Sequence, residues 1–241
     1  MMKQLNLFCL PFAGGNKYSY RKYAEKTSSA LNIIPLDYPG RGSRMDEPLI
    51  EDIHVLVSDI YQEVSQKIDQ VDYAIYGHSM GGLVAYLLTR KLIENNYKAP
   101  LHLFITGTSG PAAFSRTDKK KHLLPLREFI DAIKEFGGMP DEMLRNEEWL
   151  YYFEPILRAD FKASENYVYG NYDPLKIPIT VITGTEEELD LEDIRIWQKE
   201  TTNTIDFRQM PGNHFFIFKY PQAIVEIIFR KLFVNTKAYQ S

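Results

Sequence analysis

The chain has 241 residues, with 44% hydrophobic residues, 25% charged residues and a formal net charge of −4. This length fits one α/β domain with a single sizeable core. The small negative charge does not indicate a nucleic-acid binder. The one cysteine, Cys9, excludes an intramolecular disulfide and favours a reducing, cytoplasmic location. No apolar run reaches the ~18 residues of a membrane-spanning helix, so we expect a soluble protein without a membrane partner.

Short apolar runs alternate with longer amphipathic stretches along the chain. We predict strands at residues 5–10, 32–36, 72–76, 101–106, 179–182 and 205–209. Helical periodicity predicts helices at residues 19–31, 52–68, 80–95, 191–201 and 221–233. This alternation is typical of an α/β fold, with a mostly parallel sheet flanked by helices.

The alternation is interrupted between about residues 115 and 172. This stretch has helical periodicity and many aromatic residues, but no convincing strand. Helices inserted at this point would lie over the carboxyl edge of the sheet, where open α/β sheets bind ligands. We therefore predict a single domain, residues 1–241, with a helical cap inserted at about 115–172.

A G-x-S-x-G motif, Gly77-His78-Ser79-Met80-Gly81, joins the third predicted strand to the helix that follows it. A strand entering the motif and a helix leaving it are the context of a nucleophile elbow, where the serine occupies a sharp, strained turn. Glycines flank the serine because side chains there would collide. We predict that Ser79 is a nucleophile and that the Met80 N–H is an oxyanion donor.

A serine nucleophile needs a base, and a carboxylate must orient that base. In α/β-hydrolases the chain order is serine, acid, histidine. Four of the five histidines are unsuitable because of their positions: His54 precedes the serine, His78 lies in the motif, His102 opens a strand and His122 lies in a basic run. His214, in a loop after the last predicted strand, is the predicted base.

The acid is expected in the loop after the strand at residues 179–182. Glu186, Glu187, Glu188 and Asp190 all lie in this loop. Each is chemically competent, so the residues alone leave the choice open.

Several short elements occur in order along nearly the whole chain. They are residues 10–15 (LPFAGG), 38–42 (YPGRG) with Glu47-Pro48, 137–140 (GGMP), 155–161 (PILRADF) and 211–216 (PGNHFF). Each is weak alone, whereas the ordered set is specific. As a set it resembles the type II thioesterases that accompany nonribosomal peptide and polyketide synthases, which are members of the α/β-hydrolase superfamily.

The resemblance implies two further site residues. It gives the second oxyanion donor as the backbone N–H of Ala13, in the opening loop. In the family, the acid lies about ten residues before a tryptophan, and the same spacing from Trp197 leads to Glu187. Glutamate there replaces the family's aspartate. Glu187 is therefore the predicted acid, ahead of Asp190 and Glu186.

The resemblance also implies a reaction: hydrolysis of acyl thioesters on phosphopantetheinylated carrier proteins, through an acyl-enzyme on Ser79, in antibiotic biosynthesis and related pathways. It implies no metal and no organic cofactor, and the sequence has no His/Cys cluster with metal-ligand spacing. The same triad would also serve an acyltransferase, a cyclising release enzyme or a broad carboxylesterase. A non-catalytic, hydrolase-like binding module is a further alternative.

A basic run at the start of the predicted cap contains Arg116, Lys119, Lys120 and Lys121. Carrier proteins tend to be acidic around their modified serine, and complementary charge accelerates association. We predict that the cap docks the carrier protein and that this run contributes. Alternatively, the run is only a solvated edge, and the aromatic residues at 149–153 form the docking surface.

Overall fold

The computed structural model describes residues 4–69, 71–118, 120–137 and 146–234. Within these ranges, six strands form one sheet in the order β2-β1-β3-β4-β5-β6, and every neighbouring pair is parallel. The strands are β1 (Leu5–Leu10), β2 (Leu31–Pro35), β3 (Tyr73–His78), β4 (Leu103–Thr106), β5 (Ile179–Gly184) and β6 (Asp206–Met210). The carboxyl ends of all these strands therefore meet at one edge of the sheet.

The described α-helices lie mostly between the strands along the chain. They are α1 (Arg21–Glu25), α2 (Ile53–Ser65), α3 (Met80–Glu94), α4 (Ser115–Asp118), α5 (Leu126–Lys134), α6 (Glu147–Glu165), α7 (Leu191–Arg195), α8 (Phe216–Lys219) and α9 (Pro221–Phe229). Short 3₁₀ turns occur at Lys17–Tyr20, Gly42–Arg44, Lys121–Leu123 and Ile196–Glu200, and a π-helical turn at Arg230–Val234. Within the described ranges, no helix has the length and apolar character needed to cross a membrane.

The sheet is covered on both faces, which explains why its strands read as unbroken apolar runs. All residues of β3 and β5 are buried. On β3, Ile75 belongs to the cluster that contains the apolar faces of α2 and α3. Its neighbours Ala74 and Tyr76 belong to a second cluster, which contains residues of α1 and α9. Successive side chains thus point to opposite helical layers.

The predicted parallel α/β sheet is confirmed, with strand ends shifted by one or two residues. The predicted helix at residues 19–31 is wrong beyond α1, which ends at Glu25. Hydroxyl side chains at Thr27, Ser28 and Ser29 follow, and such side chains compete with the helix for backbone hydrogen bonds. The Thr27 hydroxyl donates to the Leu31 carbonyl. The helices predicted at 191–201 and 221–233 each end early and continue as a 3₁₀ or π turn.

Residues 115–172, here called the inserted segment, lie between β4 and β5. Their described part contains α4, α5 and α6 and no strand. Phe129 and Ile133 of α5 pack with Leu157 of α6 in a cluster separate from the two that cover the sheet. Phe153 and Phe161 pack against the same cluster. The inserted segment is therefore a helical layer with a small core of its own.

Candidate active site

Ser79 occupies a strained turn between β3 and α3. Its backbone has φ 55° and ψ −121°, and non-glycine residues rarely adopt positive φ. A Cβ at Gly77 would lie 2.1 Å from the Gly81 carbonyl oxygen, and one at Gly81 would lie 2.2 Å from the Leu10 oxygen. Only glycine permits these approaches, so the two glycines let α3 begin directly at the serine.

His214, in the loop after β6, is paired with Glu187 from the loop after β5. His214 Nδ1 lies 2.6 Å from Glu187 Oε1, and the Gly184 N–H donates to Glu187 Oε2 at 2.5 Å. The carboxylate side chain is 2% exposed. A buried carboxylate at Nδ1 holds a proton on that nitrogen, which leaves Nε2 as the basic nitrogen of the ring.

The other acids considered from the sequence have different surroundings. The Asp190 side chain accepts the Glu192 N–H at 2.9 Å and forms the N-cap of α7. Glu186 and Glu188 are exposed. The structure therefore brings His214 together with Glu187, while Asp190 stabilises the start of a helix.

His78, inside the elbow, packs beside His214 with ring centroids 4.7 Å apart. Its Nδ1 lies 2.9 Å from the Thr106 hydroxyl, and its side chain is fully buried. Burial, and secondly the charge that His214 carries when protonated, lower the pKa of His78 well below its usual value. His78 therefore stays neutral at pH 7 and places no like charge against a protonated His214.

A cavity of about 350 Å³ lies between the sheet edge and the inserted segment. Ala13, Ser79, Met80 and His214 line it on the side of the sheet. The inserted segment contributes mostly apolar side chains, together with one arginine: Arg116, Ile133, Phe136, Trp149, Phe153, Leu157, Phe161 and Ser164. Such a cavity suits an apolar ligand with one polar, reactive group.

The loop after β1 forms a tight turn at the cavity. The Gly15 N–H donates to the Phe12 carbonyl at 2.9 Å, and Gly14 has φ +77°. The Gly14 N–H donates to Asp160 Oδ2 of α6 at 2.7 Å. The Gly14 N–H is thus already bonded, and Ala13, the residue before it, lines the cavity.

Asp160 forms a buried ion pair with Arg41, and neither residue was predicted from the sequence to have a role. Arg41 Nη2 donates to Asp160 Oδ1 at 2.7 Å, and Arg41 Nη1 donates to Oδ2. The side chains are 4% and 0% exposed. Both residues lie in the ordered elements 38–42 and 155–161, so those elements were the available signal.

Arg116 turns into the cavity instead of joining an exposed basic run. Its guanidinium donates to the Thr108 hydroxyl and the Ser109 carbonyl, each at 2.5 Å, and to the Gly110 carbonyl at 2.9 Å. Burial lowers the pKa of Arg116 to about 10. The prediction that Arg116 belongs to an exposed basic run is therefore wrong, because three oxygens after β4 hold its guanidinium at the cavity.

The lysines of the predicted basic run differ in their surroundings. Lys119 lies outside the described residues. The Lys120 ammonium donates to the Glu165 carbonyl and to Asn166 Oδ1. The Lys121 ammonium lies 5.4 Å from the centre of the Phe136 ring, which lines the cavity. Of the described lysines in the run, Lys121 is thus the one placed beside the cavity.

Element 137–140 also borders the site, although only Gly137 belongs to the described residues. Gly137 has φ +72°, and a Cβ there would lie 2.4 Å from Asn213 Nδ2. Asn213 precedes His214 directly. The first residue of the element thus packs against the histidine loop, and the remaining three, 138–140, lie outside the described residues.

Comparison with known proteins gives a consistent family. The model of the Thioesterase domain family matches residues 5–232. The chain is 28% identical over 230 residues to the gramicidin S biosynthesis protein GrsT of Aneurinibacillus migulanus, covering 95% of this chain and 89% of GrsT. It is 31% identical over 239 residues to the probable anguibactin biosynthesis thioesterase AngT of Vibrio anguillarum, covering 95% and 91%. The crystal structure of ClbQ from the colibactin NRPS/PKS pathway superposes with a TM-score of 0.88 at 30% identity, covering 95% and 97%.

Proposed function

The chain belongs to the thioesterase family, and on that premise we propose that it hydrolyses acyl thioesters on the phosphopantetheine arm of carrier proteins. The resemblance to type II thioesterases is confirmed, and the chain is a thioester hydrolase, not a non-catalytic binding module. ClbQ comes from the colibactin NRPS/PKS pathway, and GrsT and AngT are named for the biosynthesis of gramicidin S and anguibactin. These relatives support the proposal that the chain works with a nonribosomal peptide or polyketide synthase, in the biosynthesis of an antibiotic or a related compound. The buried free thiol of Cys9 supports a reducing, cytoplasmic location.

The pair between His214 and Glu187, beside the strained Ser79, carries the proposal. Ser79 Oγ attacks the thioester carbonyl while His214 Nε2 accepts its proton, and the Glu187 carboxylate stabilises the imidazolium. The pantetheine thiol leaves with a proton from His214, and an acyl ester remains on Ser79. Water, deprotonated by His214, then attacks this ester, and His214 returns the proton to Ser79 Oγ as the carboxylic acid leaves.

The tetrahedral intermediate of each step carries an oxyanion, for which we propose two donors. One is the Met80 N–H, the first of α3, where the helix dipole is positive. The other is the Ala13 N–H, in the turn after β1. Thiols leave easily, so stabilising the oxyanion contributes more to the rate than protonating the leaving group.

We propose that the inserted segment, residues 115–172, acts as a cap that receives the acyl chain. Its phenylalanine, leucine and isoleucine side chains face Ser79 across the cavity. Burying apolar area is worth about 25 cal/mol per Å², so this wall supports binding of apolar acyl groups.

Mass spectrometry of acyl-carrier proteins tests this function. A panel of acyl-phosphopantetheinyl carriers is incubated with the enzyme, and carrier and small-molecule products are both measured. We expect free holo-carrier and an equal amount of free acid, and neither with Ser79→Ala. Acyl groups that move to a second carrier would establish transfer instead. Cleavage confined to small-molecule esters would contradict the carrier substrate.

A further inference from the structure

We infer that Asp160 and Arg41 are positioning residues that hold the turn at residues 12–15 in its active conformation. The inference rests on the proposed function, because it concerns the Ala13 N–H as an oxyanion donor. Neither side chain lines the cavity. Both would therefore act on the reaction only through the turn.

Asp160 bonds two groups far apart in the sequence. Its Oδ2 accepts the Gly14 N–H at 2.7 Å and an Arg41 N–H, and its Oδ1 accepts a second Arg41 N–H at 2.7 Å. This carboxylate thus joins α6 of the inserted segment to the turn after β1 and to the loop after β2. The Gly14 N–H belongs to the peptide group between Ala13 and Gly14, so its bond to Asp160 fixes the orientation of that group. The neighbouring peptide group contains the Ala13 N–H.

Stability alone does not explain a buried ion pair at this position. Removing two charges from water costs about as much as their attraction returns, and well-packed apolar residues are often as stable. An apolar pair would not accept the Gly14 N–H, which would then be buried without an acceptor. What the ion pair adds is a directional acceptor for the turn.

Arg41 also neutralises the charge of Asp160. A lone carboxylate at the turn would oppose the oxyanion that develops beside Ala13, and this repulsion is strong in a buried site. The paired guanidinium cancels most of that field. Arg41 also lies 5.3 Å from the centre of the Tyr38 ring, and the Tyr38 hydroxyl donates to the Pro11 carbonyl at 3.0 Å. Arg41 and Tyr38 therefore also connect Asp160 to Pro11, the residue directly before the turn.

Packing joins the turn to α6 at a second point. A Cβ at Gly14 would lie 2.6 Å from Leu157 Cδ2, and Leu157 precedes Asp160 by about one turn of α6. Helix α6 therefore contacts Gly14 by packing as well as by the hydrogen bond. A displacement of α6 would move both contacts, so the oxyanion donor depends on the position of the inserted segment.

The test compares Asp160→Asn and Arg41→Gln with wild type on a small substrate, hexanoyl-N-acetylcysteamine, which needs no carrier protein. We expect each variant to lower kcat by roughly tenfold to hundredfold, as for a displaced catalytic group, with KM within about threefold. Glu51→Gln is the matched control, because the pair between Lys162 and Glu51 also joins α6 to an earlier segment but is exposed. The control should keep kcat within about twofold.

The double variant, Asp160→Asn with Arg41→Gln, distinguishes a positioning role from a general disturbance of the fold by the substitutions. Its new asparagine carbonyl accepts the Gly14 N–H, its NH₂ group donates to the new glutamine, and no buried charge remains. We expect its kcat to exceed that of either single variant by about threefold or more. The acid limb of the pH profile of kcat/KM should stay unchanged in all variants, because the ion pair does not contact His214.

Melting temperatures measured alongside identify variants that fail to fold. If a variant does not fold, Arg41→Lys is measured in its place, because lysine keeps the positive charge but loses the bidentate bond to Asp160. Folded variants with wild-type kcat, or with a change in KM alone, would overturn the inference. A shift of the acid limb would indicate general distortion and would overturn it too. If wild type cleaves the small thioester but no acyl-carrier, the proposed carrier substrate fails while the positioning test stands.

Discussion

Two regions of the molecule contain histidine–glutamate pairs of the same length. At the edge of the sheet, His214 Nδ1 lies 2.6 Å from Glu187. At the base of the inserted segment, His122 Nδ1 lies 2.6 Å from Glu165, and both of these side chains are buried. The pair by itself therefore does not distinguish a catalytic histidine from a structural one.

The surroundings of the two pairs differ. His214 lines the cavity together with Ser79. Glu165 also accepts the backbone N–H groups of Lys121 and His122, so that pair connects positions 43 residues apart at the two ends of the helical layer. His214 thus shares a cavity with a candidate nucleophile, whereas the His122 pair stabilises the fold of the inserted segment.

Replacement of each histidine by glutamine should give the largest difference. We expect His214→Gln to lower kcat for an acyl-carrier protein by about 10³-fold or more, as for other triad bases. His122→Gln should change kcat by less than about threefold and lower the melting temperature instead. Steady-state kinetics and thermal unfolding of both variants check this. Comparable losses of kcat would contradict the distinction between the pairs.

Replacement of the glutamates should give the next largest effect. Glu187→Gln removes the charge that stabilises the His214 imidazolium, and we expect kcat to fall by about 10²- to 10⁴-fold. Glu187→Asp keeps the charge, but its shorter side chain cannot contact both Gly184 and His214. Its kcat should therefore lie between those of Glu187→Gln and wild type. Glu165→Gln is the matched control with nearly wild-type kcat.

The same kinetics test the choice of acid. If Glu187→Gln is fully active while Asp190→Asn is impaired, the spacing counted from Trp197 is wrong for this chain. Full activity of both variants would place the acid elsewhere.

The sheet and the elbow could be predicted because their signals are local. Strands buried on both faces read as short apolar runs, and the elbow needs only the five residues Gly77–Gly81. The acid was harder, since the loop after β5 offers several carboxylates. The residues left that choice open, and only the family spacing favoured Glu187.

Arrangements between residues far apart in the chain could not be predicted from the sequence. Arg41 and Asp160 are 119 residues apart, and charged side chains are expected at the surface unless they are paired. The elements 38–42 and 155–161 mark both residues, but neither element indicates that their side chains pair. Arg116 was assigned to the basic run because it is close in sequence to the lysines, but neighbouring residues of a helical segment point in different directions. The direction of the Arg116 side chain, and not its closeness in sequence to the lysines, therefore decides where its charge lies.

A buried histidine that is hydrogen-bonded to a hydroxyl instead of a carboxylate should respond to pH in another way. Burial, and secondly the charge of Lys231, lower the pKa of His102 to about 3, and its Nε2 lies 2.8 Å from the Thr180 hydroxyl. The unfolded chain binds a proton near pH 6.5 and the folded chain does not, so stability falls as pH decreases from about 6.5 towards 3. At pH 5 this group should lower the free energy of unfolding by about 1–2 kcal/mol relative to pH 7.

Urea unfolding of wild type and His102→Gln at pH 7 and pH 5 measures this contribution. The variant should lose less stability than wild type on acidification. His54→Gln, at an exposed histidine, is the matched control and should behave as wild type. Equal losses in His102→Gln and wild type would show that His102 does not titrate as its burial indicates.

The smallest expected effect concerns the docking of a carrier protein. Lys121 lies beside Phe136, whose ring is 5.2 Å from that of His214, so we expect its charge to act on partners that approach the cavity. We expect Lys121→Glu to raise KM for an acyl-carrier protein by about threefold at low salt and less at high salt, because salt screens such attraction. KM for hexanoyl-N-acetylcysteamine should not change, since this substrate has no acidic surface.

Lys176→Glu makes the same charge change at an exposed site before β5, at the opposite edge of the sheet, and should leave both KM values unchanged. If the two variants raise KM for the carrier equally, net charge and not a docking surface is responsible. If Lys121→Glu impairs both substrates, Lys121 supports the cavity wall through Phe136 instead of binding the carrier.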